Sequence, residues 1–416
     1  MIERALGRDR KSMERDNERI SWVQSELARA DLDAMVCSLP QHVLMLSGYF
    51  PVVGTSVAVV TQAGQVHLIV PADEKQLAHH GWADRVSTFE PGSLKIITSA
   101  AKAVLKPLQS TLRGLELTRA RIGFETGPAF EPASYVAEYF YLGAIRRVLH
   151  DAVPKATLSS ARRSLRHLRS VLTGSELARL RLSCKVAQRA FEQGAHQIRT
   201  GMMETEVGTL FTAPLRIVGL NIRNVQRAGG EAFCMSGPNS AEASAAFARS
   251  RSRILKRNDL VLVHCNSHVD GYWTDITRTY LLGEPDRRKR KIYEAVFDAR
   301  AAALAAIHPG VTGAEVDHAA RKVLASHGFK KEFRHATGHG VGLYAVDHNA
   351  LPRLHPKSRD VLETGMVFNV EPAVYISNYG GVRHCDVVAV NESGAELLTP
   401  FYASPEQLWL GSGATY

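Results

Sequence analysis

The residues with the most chemical potential lie on two strands predicted at residues 259–280, DLVLVHCNSHVDGYWTDITRTY, where apolar and polar positions alternate on either side of Asp270-Gly271. Alternation of period two predicts strands, and an Asp-Gly step predicts a hairpin turn built from residues that tolerate positive φ. With the turn centred there, His264, Asn266 and His268 share a face with Trp273, Asp275 and Thr277. An imidazole and a carboxylate become near neighbours on one face, which can begin a metal site.

Three later segments carry further ligand-type groups. The first, HATGHGVGL at 335–343, places glycines around His339 and so lets the backbone approach a ligand or a neighbouring strand closely. The second, GMVFNVEP at 365–372, is an apolar strand ending in Glu371, a carboxylate costly to bury unpaired. The third, GGVRHCDVVAV at 380–390, sets Arg383, His384, Cys385 and Asp386 inside an apolar run. Each has a bland explanation by itself. Buried histidines can be satisfied by hydrogen bonds, Glu371 can pair with Arg383, and a lone Cys packs as a small hydrophobe.

Taken together, GYWTDITRTY, HATGHGVGL, GMVFNVEPAVY and GGVRHCD resemble, in order and approximate separation, the motifs of the creatinase/prolidase/aminopeptidase P family. The resemblance covers about 160–402, and SGYF at 47–50 with its flanking strands is similar to the smaller N-terminal domain of the creatinase and prolidase branches. It implies an α/β (α+β) fold: a pita-bread C-terminal domain preceded by a smaller α/β domain. It also implies two divalent metals held by Asp, Asp, His, Glu and Glu. Asp275, His339 and Glu371 match three of those positions, whereas the first Asp is here His264 and the last Glu is here Cys385. A histidine that relatives carry ahead of the hairpin falls on Phe247 or a neighbouring alanine. Another falls on Val346, with His348 as a stand-in.

Charge counting then favours one ion. Four carboxylates balance two divalent cations, but Asp275 and Glu371 with neutral histidines carry about −2, or about −3 with a Cys385 thiolate. Nitrogen and sulfur donors favour Zn²⁺ or Fe²⁺ over a Mn or Co pair. The metal set expected is thus His264, Asp275, His339, Glu371 and Cys385, with a decayed, metal-free site as the alternative. In the roles that the resemblance implies, Glu371 accepts a proton from the attacking water. His335 and His348 orient the substrate carbonyl or protonate the leaving nitrogen, and Arg383 binds a substrate carboxylate. The expected activity is hydrolysis of an amide-type C–N bond in a peptide or small amino-acid derivative. A creatinase-like metal-free hydrolase and a non-catalytic pita-bread binding protein are the alternatives.

The scaffold around these groups is legible in outline. At 416 residues the chain exceeds what one core usually serves, so two domains are expected, 1–155 and 156–416, with a linker helix near 156–175. Helices are predicted at 1–30, 94–110 and 132–142, and strands at 33–39, 55–61, 65–71 and 121–125. In the second domain the pattern of Ile198, Gly201 and Glu206-Val207 recurs as Ile307, Gly310 and Glu315-Val316, suggesting two related halves with helices outside a sheet. Five scattered cysteines without a CxxC argue against a disulfide framework or zinc ribbon. Neither a signal peptide nor a long apolar run is evident, so a cytoplasmic protein with no membrane association is expected, a homodimer as relatives often are. The excess of 51 Lys+Arg over 41 Asp+Glu is concentrated at 249–257 and 287–291. Without interleaved aromatics these runs read as solvated faces, and nucleic acid as an unlikely partner.

Overall fold

The computed structural model describes residues 13–92, 94–126, 143–245 and 249–411. The chain divides into two compact units that part between Arg169 and Ser170.

The first unit is built on a six-stranded sheet: β1 (Ala34–Cys37), β2 (Val57–Thr61), β3 (Val66–Pro71), β4 (Arg85–Phe89), β5 (Arg121–Phe124) and β6 (Thr157–Ser160), in the order β4-β3-β2-β1-β5-β6. Val- and Ile-rich β1, β2 and β3 are its most buried strands. The helix expected over 1–30 is described as α1 (Asn17–Arg29), started where Asp16 accepts from the Arg19 amide at 2.9 Å. The one expected at 94–110 runs later, as α3 (Ala100–Gly114), because Ser99 provides its N-cap. The helix expected at 132–142 lies outside the described residues. Helix α2 (Pro40–Ser47) escapes a periodicity search because it is short and buries six consecutive residues, His42 to Ser47, instead of one face. Pro at its start and Gly48 at φ 69° after its end delimit it instead. Helix α4 (Gly143–Ala152) leads into β6, and because β6 pairs in parallel with β5, the chain beyond residue 155 still packs with this unit through β6 and most of α5 (Arg162–Ser170).

The second unit repeats a helix pair. Helices α6 (Gly174–Ala195) and α7 (Glu204–Leu220) turn at Gly201, φ 93°, and α8 (Arg287–Ala305) and α9 (Gly313–Ser326) turn at Gly310, φ 91°. Each second helix starts the same way, with a Glu three residues past the cap accepting from the cap amide: Glu206 from Met203 at 2.7 Å, Glu315 from Thr312 at 2.8 Å. The repeated spacing in the sequence is therefore a repeated helix–turn–helix. Between the pairs runs an antiparallel sheet of β7 (Ala228–Ser236), β8 (Leu260–Val269) and β9 (Tyr272–Leu281). After α9 come β10 (Val367–Val370), β11 (Ala373–Ile376), β12 (Gly380–Arg383), β13 (Asp386–Asn391) and β14 (Gly394–Leu397), with β10-β13-β14 and β11-β12 as separate sheets.

The two sheet systems meet at Thr277 and Cys385, whose backbones exchange hydrogen bonds at 3.0 and 3.3 Å. Fully buried Arg278 locks this junction. Its guanidinium donates to the Cys385 and Thr277 carbonyls at 2.6 and 2.9 Å, to Asp386 Oδ1 at 2.7 Å, and to the carbonyls of Thr399 and Phe401. The other Asp386 oxygen accepts from Arg300 Nε at 2.5 Å. Burial alone would raise the Asp386 pKa, but Arg278, with His384 and Arg300, holds it well below the usual carboxylate range. Asp386→Ala leaves two guanidiniums without their counter-charge and is expected to lower unfolding free energy by about 3–5 kcal/mol in urea denaturation. Because the folded-state pKa is depressed, the loss is full above about pH 4 and shrinks as pH falls toward that pKa.

Candidate active site

The hairpin turn has positive φ at both central residues, Asp270 at 47° and Gly271 at 88°, as a two-residue turn between twisted strands requires. That turn fixes the register. His264 lies opposite Thr277, Asn266 opposite Asp275 and His268 opposite Trp273, all on one face. The second segment of the site is a loop whose backbone runs along β10. Glu371 N donates to Thr337 O at 2.8 Å and Asn369 N to His339 O at 3.0 Å. Contact is so close that a Cβ on Gly338 would sit 1.8 Å from the Asn369 carbonyl oxygen. Buried Asp317 of α9 holds the loop from behind, accepting from Thr337 N and Oγ1 at 3.0 and 2.8 Å.

Asp275, His339 and Glu371, on three different segments, converge. His339 Nε2 lies 3.5 Å from Asp275 Oδ2 and 3.7 Å from Glu371 Oε1, and all three residues are buried. The His339 Nδ1–H donates to the Gly340 carbonyl at 3.0 Å, which turns Nε2 toward the carboxylates. Burial opposes a charge on His339, but its hydrogen bond to Asp275 and the nearby Glu371 carboxylate push its pKa up to about 9. His264 extends the cluster. Its Nδ1 is 3.4 Å from Asp275 Oδ1 and 3.0 Å from Thr277 Oγ1. Here burial wins and the pKa falls to about 4, leaving a neutral imidazole at physiological pH.

The remaining predicted residues occupy three kinds of place. His348 stands edge-on to His339, ring centroids 5.1 Å apart, and burial with the His339 charge pushes it down to about 4. His335 is one step removed. Its Nδ1–H donates to Ala336 O at 2.8 Å and its Nε2 accepts from Tyr375 Oη at 3.0 Å, while Tyr375 Oη in turn lies 3.4 Å from Arg383 Nη1. Arg383 Nη1 is 3.8 Å from Glu371 Oε2. Its Nε donates to Thr277 Oγ1 at 3.1 Å and Nη1 to the Ala243 carbonyl at 3.3 Å, while Nη2 has no hydrogen-bond partner among the described residues. Cys385 is fully buried, its thiol donating to the Asp275 carbonyl at 3.2 Å. Burial and the Asp275 and Glu371 charges push its pKa well above the ordinary thiol value, so it carries no charge.

Two residues absent from the sequence reading also shape the site. Asn369 accepts from the His339 amide at 2.8 Å, while its Nδ2 lies 3.1 Å from His339 Nε2 and 3.4 Å from Cys385 Sγ. Tyr375 joins His335 to Arg383. Both sit inside the quoted motif GMVFNVEPAVY, but an Asn and a Tyr in an apolar strand give no warning of which polar groups they will meet. Phe247 lies outside the described residues.

Ligands about 2.1 Å from a tetrahedral centre lie ~3.4 Å from one another, pair by pair. Successive groups of the cluster approach that spacing, His264 Nδ1 to Asp275 Oδ1 at 3.4 Å, Asp275 Oδ2 to His339 Nε2 at 3.5 Å and His339 Nε2 to Glu371 Oε1 at 3.7 Å, but no three of them bring their donor atoms all within 4.8 Å of one another. A tighter group of ligand-type side chains, Cys37, His42 and Glu125, lies in the first unit. Its carboxylate is already occupied by Ser38 N, Ser38 Oγ, Leu39 N and His42 Nδ1, all within 2.9 Å. The basic run at 287–291 opens α8. Arg288 lies 4.0 Å from the Tyr379 ring centroid, Arg290 4.8 Å from that of Trp409 and Lys291 5.5 Å from that of Phe329, aromatics supplied by segments distant in sequence.

A model described as metallopeptidase family M24 matches residues 178–392, which is 215 of the 416, and one described as the creatinase/prolidase N-terminal domain matches 19–171. An Xaa-Pro dipeptidase of Pyrococcus furiosus is 32% identical over 235 residues, 56% of this chain. The chain matches 64% of that relative's length. Among solved structures, the prolidase of Pyrococcus horikoshii OT3 superposes with a TM-score of 0.73 at 24% identity, over 92% of this chain and 98% of its own. The X-Pro aminopeptidase of Thermotoga maritima MSB8 gives 0.74 at 22% identity, over 91% and 99%. These likenesses show the fold: a pita-bread domain preceded by a smaller α/β domain.

A divalent ion must displace the proton that His339 holds in the metal-free protein. Apparent Zn²⁺ affinity is therefore expected to rise about tenfold per pH unit from pH 6 until it levels near the His339 pKa of about 9. Calorimetric titrations in buffers of different ionisation enthalpy should count close to one proton released per ion at pH 7.

Proposed function

The chain belongs to metallopeptidase family M24, and on that premise we propose that it hydrolyses an amide-type C–N bond, as an Xaa-Pro peptidase does, at a centre that holds one divalent metal. The observation that carries this reading is His339 Nε2 facing both Asp275 Oδ2 and Glu371 Oε1 at 3.5 and 3.7 Å. Asp275, His339 and Glu371 would hold the ion, with His264 as fourth donor. When bound, the ion supplies Lewis-acid polarisation and a more acidic water. Zn²⁺ or Fe²⁺ suits this mixed nitrogen and carboxylate set better than a Mn or Co pair.

The count of one follows from charge. With the Cys385 thiol neutral, Asp275 and Glu371 contribute about −2, which one divalent cation balances and two do not. The place of a fifth, carboxylate ligand is taken by a thiol engaged with the Asp275 carbonyl and the Asn369 amide.

The chain's own groups then divide the work. Glu371 takes the proton of the attacking water, within reach of the Arg383 guanidinium that offsets its charge. His348, with a pKa near 4, is neutral at pH 7, so it suits an orienting N–H better than proton delivery to the leaving nitrogen. His335, tied to Tyr375 and the Ala336 carbonyl, positions Arg383 through the Tyr375 hydroxyl. A second, metal-free reading draws on one observation. With no ion present His339 is an imidazolium, which can itself protonate a leaving nitrogen.

Metal content per chain separates the two readings. Plasma mass spectrometry on untagged protein is expected to give about one zinc or iron per chain. Two ions would overturn the charge argument, and none after incubation with several divalent ions would favour the metal-free hydrolase. His264→Asp with Cys385→Glu is expected to raise the count to two. With Ala-Pro as substrate, Glu371→Gln should lower kcat by about 10²–10⁴-fold.

A further inference from the structure

The basic run that opens α8 stands where helix stability does not call for it. Residues 287–291 read RRKRK, and no acidic residue occupies the first turn. Cations there oppose the positive end of the helix macrodipole. Lys289 alone of the run has a counter-charge among the described residues, Asp286 at 2.5 Å. Arg287, Arg288, Arg290 and Lys291 are exposed and form no ion pair with any described residue. Glu406 feels the Arg290 charge without bonding to it. Lys330 and Lys331, equally exposed and unpaired, extend the field, since Lys291 Nζ reaches within 3.9 Å of where a Cβ on Gly328 would sit.

Three of these cations are held in place. Arg288 rests on Tyr379 at 4.0 Å, Arg290 on Trp409 at 4.8 Å and Lys291 on Phe329 at 5.5 Å from the ring centroids. A cation seated on a ring has given up much of its rotamer freedom before any partner arrives, which lowers the cost of binding. At about 100° per residue, Arg288 and Arg290 leave the helix about 200° apart, so their heads stand roughly a helix diameter apart, ~10–12 Å, with Arg287 between them. One small anion cannot bridge that span. A partner with many regularly spaced negative charges can.

The surroundings narrow the kind of polyanion. An anionic lipid surface needs apolar side chains beside the cations to enter the acyl boundary, and none of the strongly exposed large hydrophobic residues lies within 284–294, 327–334 or 405–411. A single strand needs open aromatic faces on which its bases stack, and each ring here already carries a cation. A duplex instead offers phosphates at fixed intervals along both rims of a groove about 12 Å wide. We infer that the face formed by Arg287, Arg288, Arg290, Lys291, Lys330 and Lys331 binds the phosphate backbone of a double-stranded nucleic acid without reading its sequence. The formal charge of +10 adds long-range attraction. The run carries no aromatic of its own, which is why it reads from sequence as a solvated face, and the fold brings three to it. None of these residues belongs to the cluster around His339, so the inference is independent of the hydrolase reading.

Fluorescence anisotropy on the full-length chain tests this, with labelled duplexes of DNA and of RNA about 20 base pairs long, in NaCl from about 50 to 200 mM. Six phosphate contacts give a slope of log K against log[salt] of about −5, so affinity is expected to fall roughly 10³-fold over that range. The Arg287→Gln, Arg288→Gln, Arg290→Gln, Lys291→Gln variant is expected to flatten the slope to about −2 and to bind at least tenfold more weakly at the lowest salt, with thermal melting close to wild type. Arg288→Lys with Arg290→Lys keeps the charge and should keep the slope. Whichever duplex binds more tightly names the source of the phosphates. Absence of binding to either duplex at the lowest salt overturns the inference, in favour of a membrane or an acidic protein where phosphatidylserine vesicles or poly-glutamate bind instead. So does a quadruple variant that binds as well as wild type, or tighter binding of single strands of the same length. An equal loss from Arg251→Gln with Arg257→Gln, in the other basic run, also overturns it, because any positive charge would then serve.

Discussion

The Arg278 guanidinium fixes everything that the site requires. It lies between β9 and the start of β13, and its donors reach both backbones and Asp386 at once. Asp275 stands three residues before it on one strand, and Cys385 and Arg383 lie next to Asp386 on the other chain segment. Around this anchor the two segments also share the Thr277–Cys385 backbone exchange and the Thr279 hydroxyl, which accepts from Arg383 N and donates to Arg383 O, both at 3.0 Å. A buried ion pair is seldom a net gain in stability over a hydrophobic pair, but it is directional. Here five acceptors around one planar group allow a single arrangement of the strands, and that arrangement brings Asp275 to His339.

The second constraint is the amount of negative charge that the cluster can carry. Asp275 and Glu371 both approach His339 Nε2, and both are buried. Cys385 relieves the cluster by staying protonated, and His264 by staying neutral. Asn369 completes this arrangement from the third side. Its Oδ1 accepts from the His339 backbone amide and its Nδ2 donates to Cys385 Sγ, so it adds hydrogen bonding without charge. Three neutral polar groups thus surround two carboxylates. The same electrostatics keeps His348 uncharged, which limits its work to hydrogen bonding.

Much of this was legible in the sequence, for identifiable reasons. Period-two alternation and Asp270-Gly271 gave the hairpin its register, and register alone put His264, Asn266 and Asp275 on one face. Order and spacing of four motifs gave the fold. What the sequence could not reveal were partners chosen by tertiary contact. Asp317 supports the loop before His339 from a helix about twenty residues away, yet nothing around it marks a polar anchor. Arg278 sits in the middle of a strand, where charge ordinarily argues for an exposed position, and it is wholly buried. The run at 287–291 has no aromatic residue interleaved in it, while Tyr379, Trp409 and Phe329 reach it through the fold.

The hairpin face is polar along its length, and strand geometry explains how one strand pair presents so many groups side by side. Side chains two apart on a strand stand roughly 7 Å apart, the span of two residues. His264, Asn266 and His268 therefore mark successive positions along β8, each with its own partner across the pair on β9. The central row holds Asp275, directed at His339, and Asn266, whose oxygen meets no protein donor. A protein that needed this face only for packing would have filled the neighbouring position with an apolar side chain, as β8 does on its other face with Val261, Val263 and Cys265. Because an unmet buried acceptor is costly, Asn266 Oδ1 is held where it is by the register that the Asp270-Gly271 turn sets, and not by a bond of its own.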